Sequence, residues 1–151
     1  MKLPKKLRDL IFEEITAFGG VLIYISTIII SLFLKNFILF IELLSGLSFL
    51  YISAIIIRSI YFKERPKKRS YHTFIGKIDA SSFPSLHSAR ALFFSLIIKS
   101  IFPNNQIFYF LLFITLLVGY SRIYLKKHYW FDVIGGYILG FIIYLLVNFI
   151  F

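Results

Sequence analysis

Five runs of apolar residues dominate this chain, roughly Ala17 to Leu34, Phe37 to Ile57, Pro84 to Phe102, Ile107 to Leu125 and Asp132 to Phe151. At about 1.5 Å of rise per residue, helices of these lengths cross or nearly cross a hydrocarbon core of about 30 Å. The fold class expected is therefore all-α, an integral membrane helical bundle of about five transmembrane helices. A chain that is 59% hydrophobic and only 16% charged suits that solvent better than water. Before the first run, Leu3, Leu7, Leu10, Ile11, Ile15 and Phe18 recur at helical spacing, and Asp9, Glu13 and Glu14 argue against a cleaved signal. Residues 1–16 are expected as an amphipathic helix on the membrane surface, with a cap on the first span as the plainer alternative. The short Lys35-Asn36 link makes the first two spans a hairpin, and "FPNN" at 102–105 reads as a tight turn. With no repeat and no low-complexity tract, 1–151 is expected as one membrane-embedded domain.

The polar chemistry is confined to two stretches between runs, "RSIYFKERPKKRSYH" from Arg58 and "SRIYLKKHYWFD" from Ser121, together with "FPSLHSARA" where the third run begins. Counting spans brings all three to one membrane face, the face of the N-terminus. Lys and Arg number 17 against 7 Asp and Glu, a formal charge of +10, so a partner bearing phosphate is expected. Nucleic acid is not expected as that partner, because the basic residues alternate with spans that bury themselves in lipid. The absence of cysteine excludes disulfides and thiolate metal sites.

Arg58, Arg65, Arg122, His87, His128, Ser85 and Asp132 form an unusual set for a bilayer boundary, where ionisable groups are costly and usually functional. Guanidiniums gathered in one place repel one another unless an anion lies between them. Their planar forks match phosphate oxygens and can neutralise charge that develops during transfer. His128 and Asp132 are four residues apart, a spacing at which a carboxylate can accept the imidazole Nδ1 proton and leave the Nε2 lone pair outward, as a nucleophile requires. His87, on another segment, can donate a proton to a leaving oxygen.

Within these stretches, "RSIYFKERP", "PSLH" and "SRIYLKKHYWFD" resemble the signature motifs of the type 2 phosphatidic acid phosphatase superfamily: Lys, six residues, Arg-Pro; then Pro-Ser-Gly-His; then Ser-Arg, five residues, His, three residues, Asp. Order and internal spacing agree, and the matched region 58–132 covers half the chain. The resemblance implies that His128 attacks phosphorus to form a phosphohistidine, that Asp132 orients it, and that His87 protonates the leaving group and later activates water. It also implies that Arg58, Arg65, Ser85 and Arg122 hold the phosphate oxygens. No metal and no cofactor are implied, in keeping with a chain of only three histidines. Two positions depart from the pattern. Arg58 replaces the usual Lys, keeping the charge but widening the donor, and Leu86 replaces the usual Gly, with less backbone freedom beside the phosphate. Pro-Ser-Leu-His is also similar to the version in lipid phosphotransferases, so transfer to another lipid's hydroxyl is the alternative to hydrolysis; a non-catalytic anion binder is a third reading.

The substrate expected is a lipid phosphate, whether a monophosphate such as phosphatidic acid or phosphatidylglycerol phosphate or a polyprenyl diphosphate, with its tails remaining among membrane lipids. His72 reads as a loop residue, Lys67, Lys68 and Arg69 as a headgroup anchor, Trp130 with Tyr124 and Tyr129 as an interfacial belt, and Gly135, Gly136 and Gly140 as a helix-packing stripe. Glu42, inside the second run, is expected to reach the far interface. The site face carries Lys2, Lys5, Lys6, Arg8, Lys63, Lys67, Lys68, Arg69, Lys77, Lys126 and Lys127 against Lys35 and Lys99 opposite, which by charge bias points to the cytoplasm. The resemblance points the other way, and the basic loop can itself attract an anionic substrate, so an extracytoplasmic site in the plasma membrane is the expectation.

Overall fold

The structure, a computed structural model, describes residues 4–151; Lys2 and Leu3, counted above, lie outside them. Among the described residues there are seven helices and no strand. They are α1 (Lys5–Ala17), α2 (Val21–Phe33), α3 (Phe37–Ile60), α4 (Phe74–Ala80), α5 (Leu86–Ile101), α6 (Asn105–Tyr124) and α7 (Trp130–Ile150). Each junction has a local cause. The Asn36 side chain accepts from Leu39 N–H to start α3, and Asn104 does the same for Gln106 and Ile107 at α6. Lys35 turns the first hairpin in the left-handed region, with φ of 55°.

The exterior is unlike that of a protein in water. Leu22, Phe33, Ile38, Ile56 and Phe149 are exposed, while Ser31, Ser88, Ser95, Thr115 and Ser121 are buried and hydrogen-bonded inside the bundle. An apolar exterior over an interior in which such hydroxyls sit beside a core of Leu43, Leu50, Phe93 and Ile97 is stable where the solvent is hydrocarbon, and helices survive there because they satisfy their own backbone groups. The chain is thus an all-helical integral membrane protein.

Among the described residues, four stretches have the length and apolarity to cross: Lys5–Phe33 taken through the break at Phe18–Gly20, Phe37–Ile60, Asn105–Tyr124 and Trp130–Ile150. The expected fifth, α5, differs. It begins at Leu86, with Ser85 as its N-cap and Pro84 outside it, and has only 16 residues, about 24 Å of rise. Packed against α3, α6 and α7, it buries Ala89, Arg90, Phe93 and Ile97 against protein; a sheathed helix has no need to match the thickness of the lipid. The glycine stripe has a specific task here. A Cβ on Gly136 would collide with the Ser85 carbonyl oxygen and one on Gly140 with that of Ala89, so α7 approaches the backbone of α5 at the turn that opens the site.

Two further details depart from expectation. The loop after α3 contains the short helix α4, started by Thr73 accepting from Gly76 N–H. Glu42 does not reach an interface; it is buried in α3, and its Oε2 has no partner among the described residues.

Candidate active site

One end of the bundle gathers the C-terminal end of α3, the first turn of α5, the last turn of α6 and the loop that follows α6. They enclose a cavity of about 330 Å³. Arg58 and Tyr51 reach it from α3, Arg65 and Arg69 from the following loop, and Asp79 from α4. Leu86, His87 and Arg90 line it from α5, Arg122 from α6, and Lys127 and His128 from the turn beyond. Five of the seven residues singled out in the sequence therefore share one cavity: Arg58, Arg65, His87, Arg122 and His128.

The turn that presents His128 is set by backbone bonding. After α6, Lys127 N–H and His128 N–H both donate to the Arg122 carbonyl at 3.0 and 3.1 Å. Lys126 takes the left-handed conformation, with φ of 54°. His128 is 3% exposed, and its Nδ1 lies 2.6 Å from the Ser82 carbonyl oxygen. A carbonyl only accepts, so Nδ1 carries the proton and Nε2 keeps a lone pair. Burial, reinforced by Arg122 and Arg65, pushes the imidazole down to about 2, which leaves it neutral at physiological pH. A neutral ring with a free Nε2 can act as a nucleophile.

The orienting partner is a correction to the sequence reading. Asp132 Oδ2 stands 3.9 Å from Nδ1, beyond hydrogen-bond distance. The carboxylate is instead fully buried between Lys63 Nζ, at 2.6 Å, and Tyr129 N–H, at 2.8 Å. The cause lies in the chain path. His128 precedes Tyr129, the N-cap of α7, and Asp132 sits at the third helical position, where a carboxylate folds back to cap the N-terminus. Ser82 is placed for His128 by the neighbouring loop: its N–H donates to the Lys63 carbonyl at 2.8 Å and its hydroxyl to the Glu64 carbonyl at 3.1 Å.

Ser85 also stands apart from its expected place. It is fully buried and absent from the cavity wall. Its N–H donates to the Asp132 carbonyl at 2.9 Å, and its hydroxyl accepts from Ser88 at 3.0 Å. What this turn offers the cavity is the N-terminus of α5 at Leu86 and His87, with the partial positive charge of a helix start.

The three arginines have one feature in common. Arg58 donates to the Pro84 carbonyl at 2.8 Å, Arg65 to the Asp79 carbonyl at 2.6 Å, and Arg122 to the Thr16 hydroxyl at 3.2 Å. Each nevertheless keeps a buried Nε with no hydrogen-bond partner among the described residues. Unpaired buried donors on charged groups are costly. Three of them around one cavity make a receptor for an anion with several oxygens. Among the described residues no group of three His, Cys, Asp or Glu side chains could hold a metal ion.

Sequence reading missed Ser82, Lys63, Tyr51, Arg90 and Thr16. Ser82 acts through its main chain, which leaves no side-chain signature, although the buried serine run "SSFPS" at the mouth of an apolar helix was a visible oddity. The expected headgroup anchor is divided: Arg69 lines the cavity and pairs with Asp79 at 2.5 Å, whereas Lys68 is exposed beside Glu64.

A family model described as the PAP2 superfamily matches residues 20–151. Undecaprenyl-diphosphatase BcrC of Bacillus subtilis (strain 168) is 38% identical over 89 residues, 58% of this chain and 45% of that protein, so the match spans less than half of the relative's length. Among solved structures, Aquifex aeolicus LpxE superposes with a TM-score of 0.78 at 20% identity, covering 97% of this chain and 87% of that one. The first transmembrane PAP2 type phosphatidylglycerolphosphate phosphatase from Bacillus subtilis superposes with a TM-score of 0.73 at 22% identity, covering 99% and 78%. At these identities the two structures speak for the fold.

Proposed function

We propose, for a chain that belongs to the PAP2 superfamily, that this protein is a membrane lipid phosphatase that releases phosphate from a lipid phosphomonoester or diphosphate without a metal. The observation that carries the reading is the set of three arginines, each with an unpartnered buried Nε, around a cavity that also holds a neutral His128. The name of the relative BcrC, an undecaprenyl-diphosphatase, supports the same chemistry.

The reaction runs in two displacements. With the phosphoryl oxygens on Arg58, Arg65, Arg122 and the first turn of α5, the Nε2 lone pair of His128 attacks phosphorus. The N–P bond forms as the P–O bond to the lipid breaks; burial and Arg122 push the His87 imidazole down to about 2, so where the leaving oxygen is an alkoxide His87 passes on a proton it takes up once the bound phosphate offsets the arginines around it. Ser82 holds the Nδ1 proton throughout, which stabilises the cationic phosphohistidine ring. Water, deprotonated by His87, then attacks phosphorus, the N–P bond breaks and inorganic phosphate leaves. Substrate tails stay in the bilayer, because the site lies at helix ends. The active site is read as extracytoplasmic, in the plasma membrane.

A phosphate-release assay on detergent-solubilised lipid monophosphates and diphosphates, run with chelator, tests this. Release by the wild-type chain, inhibition by vanadate, and a loss of at least about 1,000-fold in His128→Ala are expected. A lipid product carrying the phosphoryl group, with little free phosphate, would assign the protein to phosphotransfer instead. Binding of phosphate with no turnover on any substrate would leave only anion binding.

A further inference from the structure

Arg90 belongs to none of the three motifs, yet it forms part of the wall of the same cavity. It lies on α5 three residues beyond His87, so the two side chains are neighbours on one helix face and Arg90 is nearly a turn deeper in the bundle. It is 4% exposed. Its Nε donates to the Gly19 carbonyl at 2.9 Å, at the break between α1 and α2, and its Nη1 to the Tyr51 hydroxyl on α3 at 2.7 Å. These bonds from two other elements fix the plane of the fork and leave Nη2 for the cavity.

The balance of charge in the wall is uneven. Arg58, Arg65, Arg69, Arg90, Arg122 and Lys127 face it against one carboxylate, Asp79, which Arg69 already engages. A single phosphoryl group brings about two negative charges at neutral pH, too few for the cations that remain. A second phosphoryl group attached to the first would bring more charge and would extend beyond the three motif arginines.

The side on which that second group must lie follows from in-line displacement. The nucleophile and the leaving oxygen stand on opposite sides of phosphorus. His128 comes from the turn after α6, whereas His87 and Arg90 come together from α5, which therefore flanks the leaving group. We propose that Arg90 binds the lipid-side phosphoryl group of a lipid diphosphate, an assignment that rests on the phosphatase reading above and selects diphosphates over monophosphates. As the N–P bond to His128 forms, the bond from the terminal phosphorus to the bridging oxygen breaks. Its electron pair stays on that oxygen, and the lipid leaves as a phosphate monoester. No proton is needed there, because the departing phosphate bears the charge and Arg90 neutralises it. A lipid monophosphate makes no such demand, since its leaving oxygen belongs to an alcohol and is protonated by His87.

The test compares kcat/KM for a lipid diphosphate and for the monophosphate of the same chain, using wild type, Arg90→Gln and Arg90→Lys in detergent. Arg90→Gln is expected to lose on the order of 30-fold on the diphosphate and less than about threefold on the monophosphate, as for loss of one charge-assisted contact. Arg90→Lys, which keeps the charge, is expected to retain most of the preference. An equal loss on both substrates would overturn the assignment, reducing Arg90 to a brace between Gly19 and Tyr51, and so would no loss on either. If wild type hydrolyses neither lipid, the phosphatase reading fails. Arg90 is then judged by calorimetric binding of inorganic diphosphate and orthophosphate: a preference for diphosphate that Arg90→Gln abolishes sustains the site, and an unchanged preference, or none in wild type, ends it.

Discussion

His128 gives its Nδ1 proton to a main-chain carbonyl, and this changes what the neighbouring carboxylate is for. Were Asp132 the acceptor, an amide in its place would disturb the tautomer and silence the nucleophile. With Ser82 as acceptor at 2.6 Å and Asp132 at 3.9 Å, Asp132→Asn is expected to leave the proton on Nδ1. Long-range nitrogen–proton NMR of labelled histidine checks this directly, and a switch to the Nε2–H form in the variant would return the orienting role to Asp132. The loss falls on stability instead. Asp132 is fully buried and Lys63 only partly so, so the variant frees a lysine that can reach solvent, and a cost of about 1–3 kcal/mol is expected in thermal melting. At this scale the sequence revealed the titratable side chains, because phosphoryl chemistry needs particular residue types at particular spacings. It could not reveal Ser82, whose contribution is a carbonyl from a segment 46 residues away, nor Arg90, which inside an apolar run looks like an isolated charge.

Among the elements, α5 bears most on the site although it is shorter than α3, α6 and α7, against which it packs. Its first turn holds Leu86 and His87 to the cavity, and it is held in turn by α7, where Gly136 meets the Ser85 carbonyl. Gly136→Ala places a methyl against backbone, which cannot rotate away as a side chain could. The expected result is displacement of the α5 start, a stability loss of about 1–3 kcal/mol as in other overpacked interiors, and a fall in phosphate release larger than that loss alone would cause. Equal melting and equal turnover in variant and wild type would show that the two helices separate freely. A second element acts at a distance. Helix α1 lies outside the matched family region of 20–151, yet Thr16 accepts from both Ser121, at 2.8 Å, and Arg122, at 3.2 Å, and Asp9 accepts from Tyr124. The periodicity of Leu7, Leu10, Ile11 and Ile15 revealed the helix but not this grip, because hydropathy reports which face is apolar and not which hydroxyl a distant arginine will find. Run and helix differ in length at α5 for a related reason: an apolar run bounds what can lie in lipid, and a helix enclosed by its neighbours obeys their geometry.

For the whole molecule, two physical effects compete over which way the charged end faces. Lysines and arginines close to spans are retained in the cytoplasm, which would put the site inside. Yet Arg58, Arg65, Arg69, Arg122 and Lys127 line the cavity itself, so their charge is accounted for by an anionic substrate and is not free to report topology. What remains for the topological vote is the exposed set outside the cavity wall, Lys5, Lys6, Arg8, Lys67, Lys68, Lys77 and Lys126 at the site end against Lys35 opposite. The chain contains no cysteine, so one introduced thiol is an unambiguous reporter. In Lys68→Cys the thiol would sit on an exposed loop, at a residue that pairs with the exposed Glu64, a contact worth little. For the proposed orientation, a membrane-impermeant maleimide added to intact cells is expected to label Lys68→Cys fully and Lys35→Cys only after permeabilisation. Labelling in the reverse order would place the cavity in the cytoplasm, where the lysine excess at this end would be ordinary retention and the substrate would have to present its phosphate on the inner leaflet.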